Sequence, residues 1–422
     1  MSGLAILAGV VVAYAVLAAA LDRRSITGPI VFVVTGAVLS PDGLGVVTFG
    51  LDDGATLHIT EAVLALLLFS DAATVPLAAV ESDVGLPGRL LGIGLPLTIA
   101  LGTLLAGLLF PDGGWATAAL VATILAPTDA ALGMAVATNQ AVPVRIRRAL
   151  NVESGLNDGI ATPFVTLFLA IVVAEEQHAG GAWVAEAAAE IAIALIVAVT
   201  VGGAGGWLVA LGRPRDWSSR RSEQLAVLAL AVIAYAGSVA LGGNGFVAAF
   251  VGGIAFGAVA GRGLHDAVGY VETTASFASF FVWTVFGALF VGPLLARGLD
   301  VAAVVYAVLS LSVIRMIPVA IALRGTGFRA STVAFMGWFG PRGLASVVFT
   351  LLALESIREA GGMGTELVDV TTMTIVLSVV LHGLTAGPLS SRYAGDLARH
   401  PAGAEMLSVP EPARRGHLLA HP

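Results

Sequence analysis

Long apolar stretches follow one another along almost the whole chain, with short polar connections between them. Most approach the roughly 20 residues that cross a hydrocarbon core about 30 Å thick. Hydrophobic residues make up 57% of the 422 and charged residues 12%, about half the charge of a soluble chain. The sequence therefore predicts an all-α multi-pass membrane protein with about 13 transmembrane helices. The stretches cover about 3–21, 26–39, 59–80, 88–110, 115–137, 146–174, 186–211, 222–241, 244–260, 270–296, 300–322, 331–354 and 367–390.

Arginine is distributed asymmetrically between alternate connections. All 21 basic residues are arginines, and those outside the stretches fall in every second connection or in the C-terminal tail, except Arg297 and Arg358. Cytoplasmic loops carry the excess of basic residues. This distribution predicts an outside N-terminus and a cytoplasmic C-terminus in the cell (inner) membrane. The arginines that follow the first stretch predict a retained helix rather than a cleaved signal.

The residue types that are absent exclude several chemistries. There is no cysteine, so disulfides, cysteine-based zinc sites and thiol catalysis are excluded. There is no lysine either, which removes the P-loop lysine and Schiff-base chemistry. The glycine-rich runs lie within helices rather than after strands, so they form no nucleotide cradle. We expect no cofactor and no nucleic-acid partner.

One stretch carries polar residues where an apolar helix would not place them. It begins near Arg145 and continues as an apolar segment to Val173. Asn157 and Asp158 stand about 12 residues, or roughly 18 Å, past its start. That depth is near the middle of a bilayer, where an ionisable group is costly and usually faces a cavity or a pathway. The position predicts that Asp158 is the leading functional residue.

The neighbours of Asp158 supply oxygen atoms on one side of the same helix. Ser154 lies one helical turn before Asp158 and so shares its face, and Glu153 and Asn157 occupy the adjacent strip. Oxygen ligands suit a hard cation such as Na⁺. A buried carboxylate can hold either a proton or a cation. The pattern predicts a cation and proton site on this face of the helix.

Two other stretches contain a proline beside polar residues at mid-depth. They read Leu125-Ala-Pro-Thr-Asp-Ala130 and Phe339-Gly-Pro-Arg-Gly343. Proline frees backbone carbonyls, which need a partner inside a bilayer. We expect bound ions to be that partner, with Thr128 as a further ligand. Because the two stretches run in opposite directions under the predicted topology, we expect an inverted repeat whose broken helices cross at the site.

A second buried carboxylate beside Asp158 needs a partner of its own. Arg315 and Arg342 lie within apolar stretches, and either could pair with Glu153. A buried ion pair gains little net stability but is expensive to break from one side. We therefore predict that Glu153 forms a structural ion pair rather than carrying ions.

Two further features are interpreted as structural. His382 lies alone in the last stretch and is expected to be a core histidine whose hydrogen bonds are satisfied. The glycines Gly253, Gly257 and Gly261 recur every four residues, a spacing typical of close helix packing in membranes.

The polar motifs resemble those of a known family. Ala126-Pro-Thr-Asp129, Glu153-Ser-Gly-Leu-Asn-Asp158 and Gly340-Pro-Arg-Gly343 are similar to hallmark motifs of the monovalent cation:proton antiporters of the NhaP and sodium/proton exchanger type. The resemblance covers essentially all of residues 1–390. It implies a thirteen-helix homodimer in the lipid bilayer that works by alternating access and contributes to pH and cation homeostasis.

The resemblance also implies roles for individual residues. Asp158 is the expected carrier of cation and proton, and Ser154 and Thr128 are expected ligands of the transported cation. Asp129 is expected to balance charges at the crossing, and the arginine of the eleventh stretch, Arg315, to pair with Glu153. Having Asn157-Asp158 rather than two aspartates resembles the electroneutral branch, which exchanges one cation per proton.

The chain departs from the family pattern in its third stretch. Many relatives have Phe-Glu-Gly-Gly where this chain has Phe69-Ser-Asp-Ala-Ala73. Asp71 is either a water-linked or gating carboxylate of the site or a residue at the helix end, and the sequence leaves both open.

The resemblance also divides the chain into regions. Helices at about 88–174 and 300–390 are expected to form a core domain, and helices at about 1–80 and 222–296 a dimerisation domain. Beyond the range of the resemblance, residues 391–422 are rich in Pro, Arg and Ala, a composition that predicts a short, disordered cytoplasmic tail.

Several functions remain to be distinguished. Na⁺ is the expected cation, with K⁺ as the alternative on the same scaffold and Li⁺ a further possible substrate. An intramembrane aspartyl protease would also use two buried aspartates, here Asp129 and Asp158, sharing a proton across a cleft. A protease would not explain the broken helices or the arginines, so we expect a transporter rather than an enzyme.

Overall fold

The structure, a computed structural model, describes residues 2–47, 49, 54–74, 85–177, 183–399 and 403–407. Within these residues every regular element is helical. In chain order the helices are α1 (Ser2–Asp22), α2 (Gly28–Leu39), α3 (Gly54–Thr74), α4 (Gly85–Leu109), α5a (Gly114–Ile124), α5b (Met134–Ala137), α6 (Val144–Glu176), α7 (Trp183–Arg215), α8 (Arg220–Ala240), α9 (Gly245–Ala260), α10 (Asp266–Arg297), α11a (Val301–Leu311), α11b (Val313–Ala322), α12a (Ala330–Trp338), α12b (Leu344–Glu359) and α13 (Thr365–Ala398).

The lengths and composition of these helices fit a membrane-spanning bundle. Within the described ranges, eight segments are long and apolar enough to cross a bilayer, and α1, α2 and α9 contain shorter apolar helices. The predicted interruptions are present, since α5 breaks between Ile124 and Met134 and α12 between Trp338 and Leu344. These findings agree with a multi-pass all-α fold.

A third interruption was not predicted. The stretch at 300–322 is divided at Ser312, whose backbone leaves the helical region (φ −116°, ψ −90°). Hydroxyl side chains at Ser310 and Ser312 are the only local sign of this break, and such residues are common in continuous helices as well. The break exposes the carbonyl of Ser310 to partners outside its own helix.

The expectation of a disordered tail from residue 391 is wrong at its start. Helix α13 continues to Ala398, and Gly403–Leu407 packs back onto the bundle, with Glu405 only 1% exposed. The Glu405 carboxylate accepts hydrogen bonds from the Arg329 amide (2.9 Å) and the Thr332 hydroxyl (2.8 Å) at the start of α12a. These bonds order the segment. Residues 408–422 of the predicted tail lie outside the described residues.

Close packing of small residues explains how α9 fits the bundle. A Cβ added at Gly253 would overlap the carbonyl of Phe69, and one added at Gly257 would overlap the carbonyl of Ala73. Two of the regularly spaced glycines therefore let α9 lie directly against the backbone of α3, as the small-residue spacing predicted.

Candidate functional site

The two broken helices meet at their interruptions. The amide of Asp129 donates to the carbonyl of Pro341 (2.7 Å), and the Ser346 hydroxyl, just after the break in α12, donates to the carbonyl of Ile124, just before the break in α5 (2.7 Å). The end of α5a thus abuts the start of α12b. This is the arrangement expected where two interrupted helices run in opposite directions and cross at mid-depth.

Asp129 joins the two breaks through its carboxylate. One oxygen accepts from the amide of Leu132 (2.8 Å) and the other from the amide of Leu344, the first residue of α12b (2.9 Å). The amides at a helix N-terminus carry partial positive charge, so a carboxylate there is stabilising. Gly343 is needed next to it, because a Cβ at that position would overlap the Asp129 side chain.

Arg342 makes the reciprocal connection from α12 to α5. Its guanidinium donates to the carbonyls of Ala126 (2.9 Å) and Pro127 (3.4 Å) at the end of α5a and to the carbonyl of Ser310 at the break in α11 (3.2 Å). Arg342 is fully buried. These carbonyls at the end of α5a therefore already have a tethered cation as a partner.

Glu153 lies against the other intramembrane arginine. Its carboxylate oxygen is 2.6 Å from a guanidinium nitrogen of Arg315, and both side chains are 2% exposed. The contact links α6 to α11b immediately after the break at Ser312. Of the two partners that the sequence left open, the structure thus brings Arg315 to Glu153 and directs Arg342 to backbone carbonyls.

Three polar side chains from α5 and α6 form a buried hydrogen-bonded group. The hydroxyls of Thr128 and Ser154 are 2.9 Å apart, and the Asn157 amide nitrogen donates to the Thr128 hydroxyl (2.7 Å). The Asn157 carbonyl oxygen is buried and accepts no hydrogen bond among the described residues. The group therefore brings together the predicted oxygen ligands and retains one unused acceptor.

Asp158 lies one helical turn after Ser154 on α6 and is half-buried. In the described part of the chain, its carboxylate has no hydrogen bond or ion pair, unlike those of Asp129 and Glu153. Asp129 and Asp71 are the acidic residues whose charges act on it. The structure thus places Asp71, which is also half-buried, within electrostatic range of the predicted site.

A small cavity reaches the group from the side of the α6 N-terminus. Its volume is about 20 Å³, enough for a water molecule, and Ser154, Asn151, Phe339 and Pro341 are among the residues that line it. Its walls combine both broken helices with α6. At Gly159, the residue after Asp158, the ring of Phe250 on α9 packs so closely that a Cβ there would overlap it.

Sequence reasoning missed residues that touch the site from helices without a polar motif. Phe250 lies in α9, whose glycine spacing indicates close helix packing but gives no sign of a contact with the site. Ser378 on α13 accepts a hydrogen bond from the amide of Arg342 (2.6 Å), and His382 contacts the carbonyl of Trp338 (2.8 Å). His382 is buried and hydrogen-bonded, as expected of a core histidine, but the groups that it binds flank the break in α12.

Comparison with known proteins identifies the class. The family model described as "Sodium/hydrogen exchanger, transmembrane" matches residues 8–392. The chain therefore belongs to the sodium/hydrogen exchanger family. As a member of it, the protein is a cation:proton antiporter, a transporter rather than an enzyme.

Individual relatives agree with this assignment. The chain is 24% identical to the K(+)/H(+) antiporter NhaP2 of a Shewanella species, an alignment that covers 95% of this chain and 67% of that protein. It is 33% identical to a Na(+)/H(+) antiporter of Saccharomyces cerevisiae, over 30% of this chain and 13% of that protein. Its fold is similar to that of the sodium proton antiporter MjNhaP1 of Methanocaldococcus jannaschii, with a TM-score of 0.73 at 17% identity over 93% of this chain and 98% of that one.

Proposed function

We propose that Asp158 is the group that alternately binds the cation and the proton. The observation that carries this assignment is the difference between neighbouring carboxylates. Both oxygens of Asp129 accept backbone amides and Glu153 is paired with Arg315. Asp158 is the carboxylate of this cluster that the described residues leave without a hydrogen bond or ion pair.

The oxygen atoms beside Asp158 suit a dehydrated monovalent cation. Thr128 and Ser154 offer hydroxyl oxygens, and Asn157 a buried carbonyl oxygen with no donor among the described residues. Buried acceptors in proteins normally have a partner, and oxygen-rich sites favour hard cations. The proposed cycle loads the cation on these oxygens and Asp158, and then replaces it with a proton on Asp158.

We propose Na⁺ as the cation, exchanged one for one with H⁺ by alternating access. Asn157 next to Asp158 leaves one carrier carboxylate at this position, which supports electroneutral exchange. The division into a core domain (about 88–174 and 300–390) and a dimerisation domain (about 1–80 and 222–296) within a homodimer remains part of this proposal. The proposal also includes thirteen transmembrane spans, an outside N-terminus and a role in pH homeostasis in the cell membrane.

K⁺ is the second candidate, because the Shewanella relatives that match most of the chain are named K(+)/H(+) antiporters. The protease reading has no support in the structure. Both oxygens of the Asp129 carboxylate accept backbone amides, so this carboxylate is not free to share a proton with Asp158.

The test is ion exchange in proteoliposomes that contain a trapped pH indicator. An outward gradient of Na⁺, K⁺ or Li⁺ is imposed in separate experiments, and acidification of the lumen reports H⁺ entering as the cation leaves. We expect acidification with Na⁺ that collapses when Na⁺ is added outside. Protein-free vesicles are the control. Acidification with K⁺ alone would show that K⁺, and not Na⁺, is the transported cation. No acidification with any of the three cations would refute the proposal.

A further inference from the structure

The break in α12 separates two backbone groups that would bond to each other in a continuous helix. In an α-helix each amide donates to the carbonyl four residues earlier, so the amide of Arg342 would donate to the carbonyl of Trp338. In this protein the Arg342 amide donates instead to the hydroxyl of Ser378 (2.6 Å). The Trp338 carbonyl accepts from Nε2 of His382 (2.8 Å) and from the amide of Gly340 (2.8 Å).

Ser378 and His382 are one turn apart on α13 and bond to each other. The Ser378 hydroxyl lies 3.1 Å from Nδ1 of His382, and Nδ1 is also 2.9 Å from the Ser378 carbonyl. The path from the Arg342 amide through Ser378 and His382 to the Trp338 carbonyl replaces the missing helical bond. Nε2 of His382 carries a proton both in the charged imidazolium and in the neutral imidazole that is protonated on Nε2. It can donate to the Trp338 carbonyl in either form, so the bridge does not depend on which of the two is present.

The bridge is buried and anchored on both sides. Ser378 is 0% and His382 2% exposed, so an unpaired polar group here would be costly. The indole of Trp338 also donates to the hydroxyl of Thr385, one turn further along α13 (3.0 Å). Helix α13 thus holds the end of α12a and Arg342, two residues before the start of α12b, at the same time.

We propose that Ser378 and His382 are positioning residues for ion exchange, because they hold the gap in α12 open. The gap lets the Pro341 carbonyl reach the Asp129 amide and lets the Arg342 guanidinium reach the carbonyls of α5a. Through Asp129 and its neighbour Thr128, the bridge sets the position of the cation ligands. This inference rests on the proposed ion site at the crossing.

The main test is Ser378→Ala, assayed by cation-dependent exchange in proteoliposomes. We expect KM for the cation to rise about five- to tenfold with a smaller change in kcat, the size that the loss of one buried hydrogen bond produces. Ser390→Ala is the matched control. Ser390 lies on the same helix and is equally buried, and its hydroxyl has no hydrogen bond among the described residues, so KM should stay at the wild-type value.

Substitution of His382 separates positioning from simple packing. His382→Gln retains a side-chain N–H that can reach the Trp338 carbonyl, whereas His382→Leu fills similar space without a donor. We expect Gln to keep KM near the wild-type value and Leu to raise it as Ser378→Ala does. Equal KM values for both substitutions would show that the donor does not matter and would overturn the proposal.

Hydrogen exchange gives a readout that is independent of transport. In Ser378→Ala the amide hydrogens of residues 338–340 and 342–344 should exchange faster with solvent, while those of α6 keep the wild-type rate. Suppose that wild type transports ions and Asp158→Asn does not, while Ser378→Ala matches wild type in both KM and hydrogen exchange of its amides. The positioning role of the Ser378–His382 bridge is then refuted, and the proposed ion site stands. If the wild-type protein does not exchange ions, the proposed function is refuted. The hydrogen-exchange rates of the α12 amides would then decide whether the bridge exists.

Discussion

At the scale of single residues, the carboxylates near the crossing differ because their partners differ. Asp129 accepts two backbone amides, one of them at the start of α12b, where negative charge is favourable. Glu153 neutralises Arg315. A carboxylate already bound in this way must break those contacts before it can take up another ion. Asp158 has no such contact within the described chain, so the exchange of cation for proton is assigned to it.

The first prediction concerns this assignment. Asp158→Asn should reduce exchange to the level of protein-free vesicles, because the amide can neither release a proton nor neutralise a cation. The protein should remain folded, since no described contact depends on the carboxylate. The measurement is exchange together with thermal unfolding in detergent. Glu175→Gln, an exposed carboxylate at the end of the same helix, should leave both unchanged. Wild-type flux in Asp158→Asn would remove the central residue of the site.

The second prediction concerns the buried ion pair. Glu153→Gln and Arg315→Gln should each lower the free energy of unfolding by about 3–5 kcal/mol, because each leaves one buried charge unpaired. The double variant should recover part of that loss. Unfolding temperature and expression measure the effect.

The control for this pair uses the other arginine. Arg342→Gln in the Glu153→Gln background should give no recovery, because the Arg342 guanidinium donates to carbonyls and not to Glu153. Recovery with Arg342 but not with Arg315 would reverse the pairing. A stable Glu153→Gln variant with altered cation affinity would make Glu153 a ligand instead of a structural residue.

At the scale of helices, α9 closes one side of the Asp158 region. The side-chain amide of Asn244 donates to the hydroxyl of Thr166 on α6 (2.8 Å), while its oxygen caps the start of α9. Two residues further on, the ring of Phe246 meets that of Phe349 on α12b (centroids 6.0 Å apart). One turn after Phe246, Phe250 covers Gly159. Aromatic side chains thus fill the space between α9 and the site in this conformation.

The third prediction follows from this contact. Gly159→Ala places a methyl group within the volume of the Phe250 ring, so α9 and α6 must separate, at a cost of about 1–3 kcal/mol. We expect lower exchange and a lower unfolding temperature, with partial recovery in the double variant that adds Phe250→Ala. Gly387→Ala on α13, where a Cβ meets nothing within 4 Å, is the control. If the double variant recovers neither ion exchange nor unfolding temperature, overlap with Phe250 does not explain the effect of Gly159→Ala.

The segment after α13 is also held by defined contacts. Burial alone would raise the pKa of Glu405, but hydrogen bonds from the Arg329 amide, its own amide and the Thr332 hydroxyl, together with the Arg329 charge, lower it below its ordinary value of 4.5. The Arg145 guanidinium donates to the neighbouring Ala404 carbonyl (2.7 Å). The charged form of Glu405 is therefore the form that holds the segment against α12a.

The fourth prediction gives the sign of the pH dependence. Because the folded pKa is lowered, the ionised carboxylate stabilises the contact fully above its ordinary pKa, and this stabilisation is lost as pH falls through the lowered value. Glu405→Gln should therefore increase hydrogen exchange of residues 403–407 at neutral pH, whereas wild type should loosen only in acid. Glu175→Gln should match wild type throughout. Equal protection of Glu405→Gln and wild type at neutral pH would show that the charge does not hold this segment.

At the scale of the whole molecule, the two broken helices each stabilise the other. Asp129 from the break in α5 caps the start of α12b, and Arg342 from the break in α12 binds the carbonyls at the end of α5a. The negative charge of Asp129 thus lies at the N-terminus of α12b, and the positive charge of Arg342 at the C-terminus of α5a. Each charge is favourable at that end of a helix dipole. With these two charges compensated internally, the proposed cycle leaves Asp158 to decide the net charge that moves with a bound ion.

The fifth prediction is that transport is electroneutral. If Asp158 trades one proton for one monovalent cation, exchange should neither create nor respond to a membrane potential. Initial rates in proteoliposomes should be the same when K⁺ and valinomycin clamp the membrane potential at zero or at about −100 mV. If a net unit charge crossed the membrane, this change in potential would alter its free energy by about 2.3 kcal/mol. A rate that changes with the imposed potential, after leaks are excluded, would contradict one-for-one exchange.

The sequence alone determined the membrane class, the positions of most helices and the residues at the crossing. Apolar length is a local property and sets where a chain can span a bilayer. Polar residues such as Asp158 and Arg342 stand out in apolar surroundings because burying them is costly. Prolines marked the interruptions of α5 and α12 for the equally local reason that they remove an amide donor.

Tertiary structure alone decided which groups are partners. Glu153 had two candidate arginines, and only packing of α6 against α11 brings Arg315 to it. The sequence predicts ions as partners of the carbonyls freed in α5, and only the fold brings the Arg342 guanidinium to those of Ala126 and Pro127. Ser378 and His382 carry no motif and act on a break about 40 residues away in the chain, a separation that helical periodicity cannot relate because it connects only residues three or four apart. Such contacts depend on how helices pack, which is a property of the whole bundle.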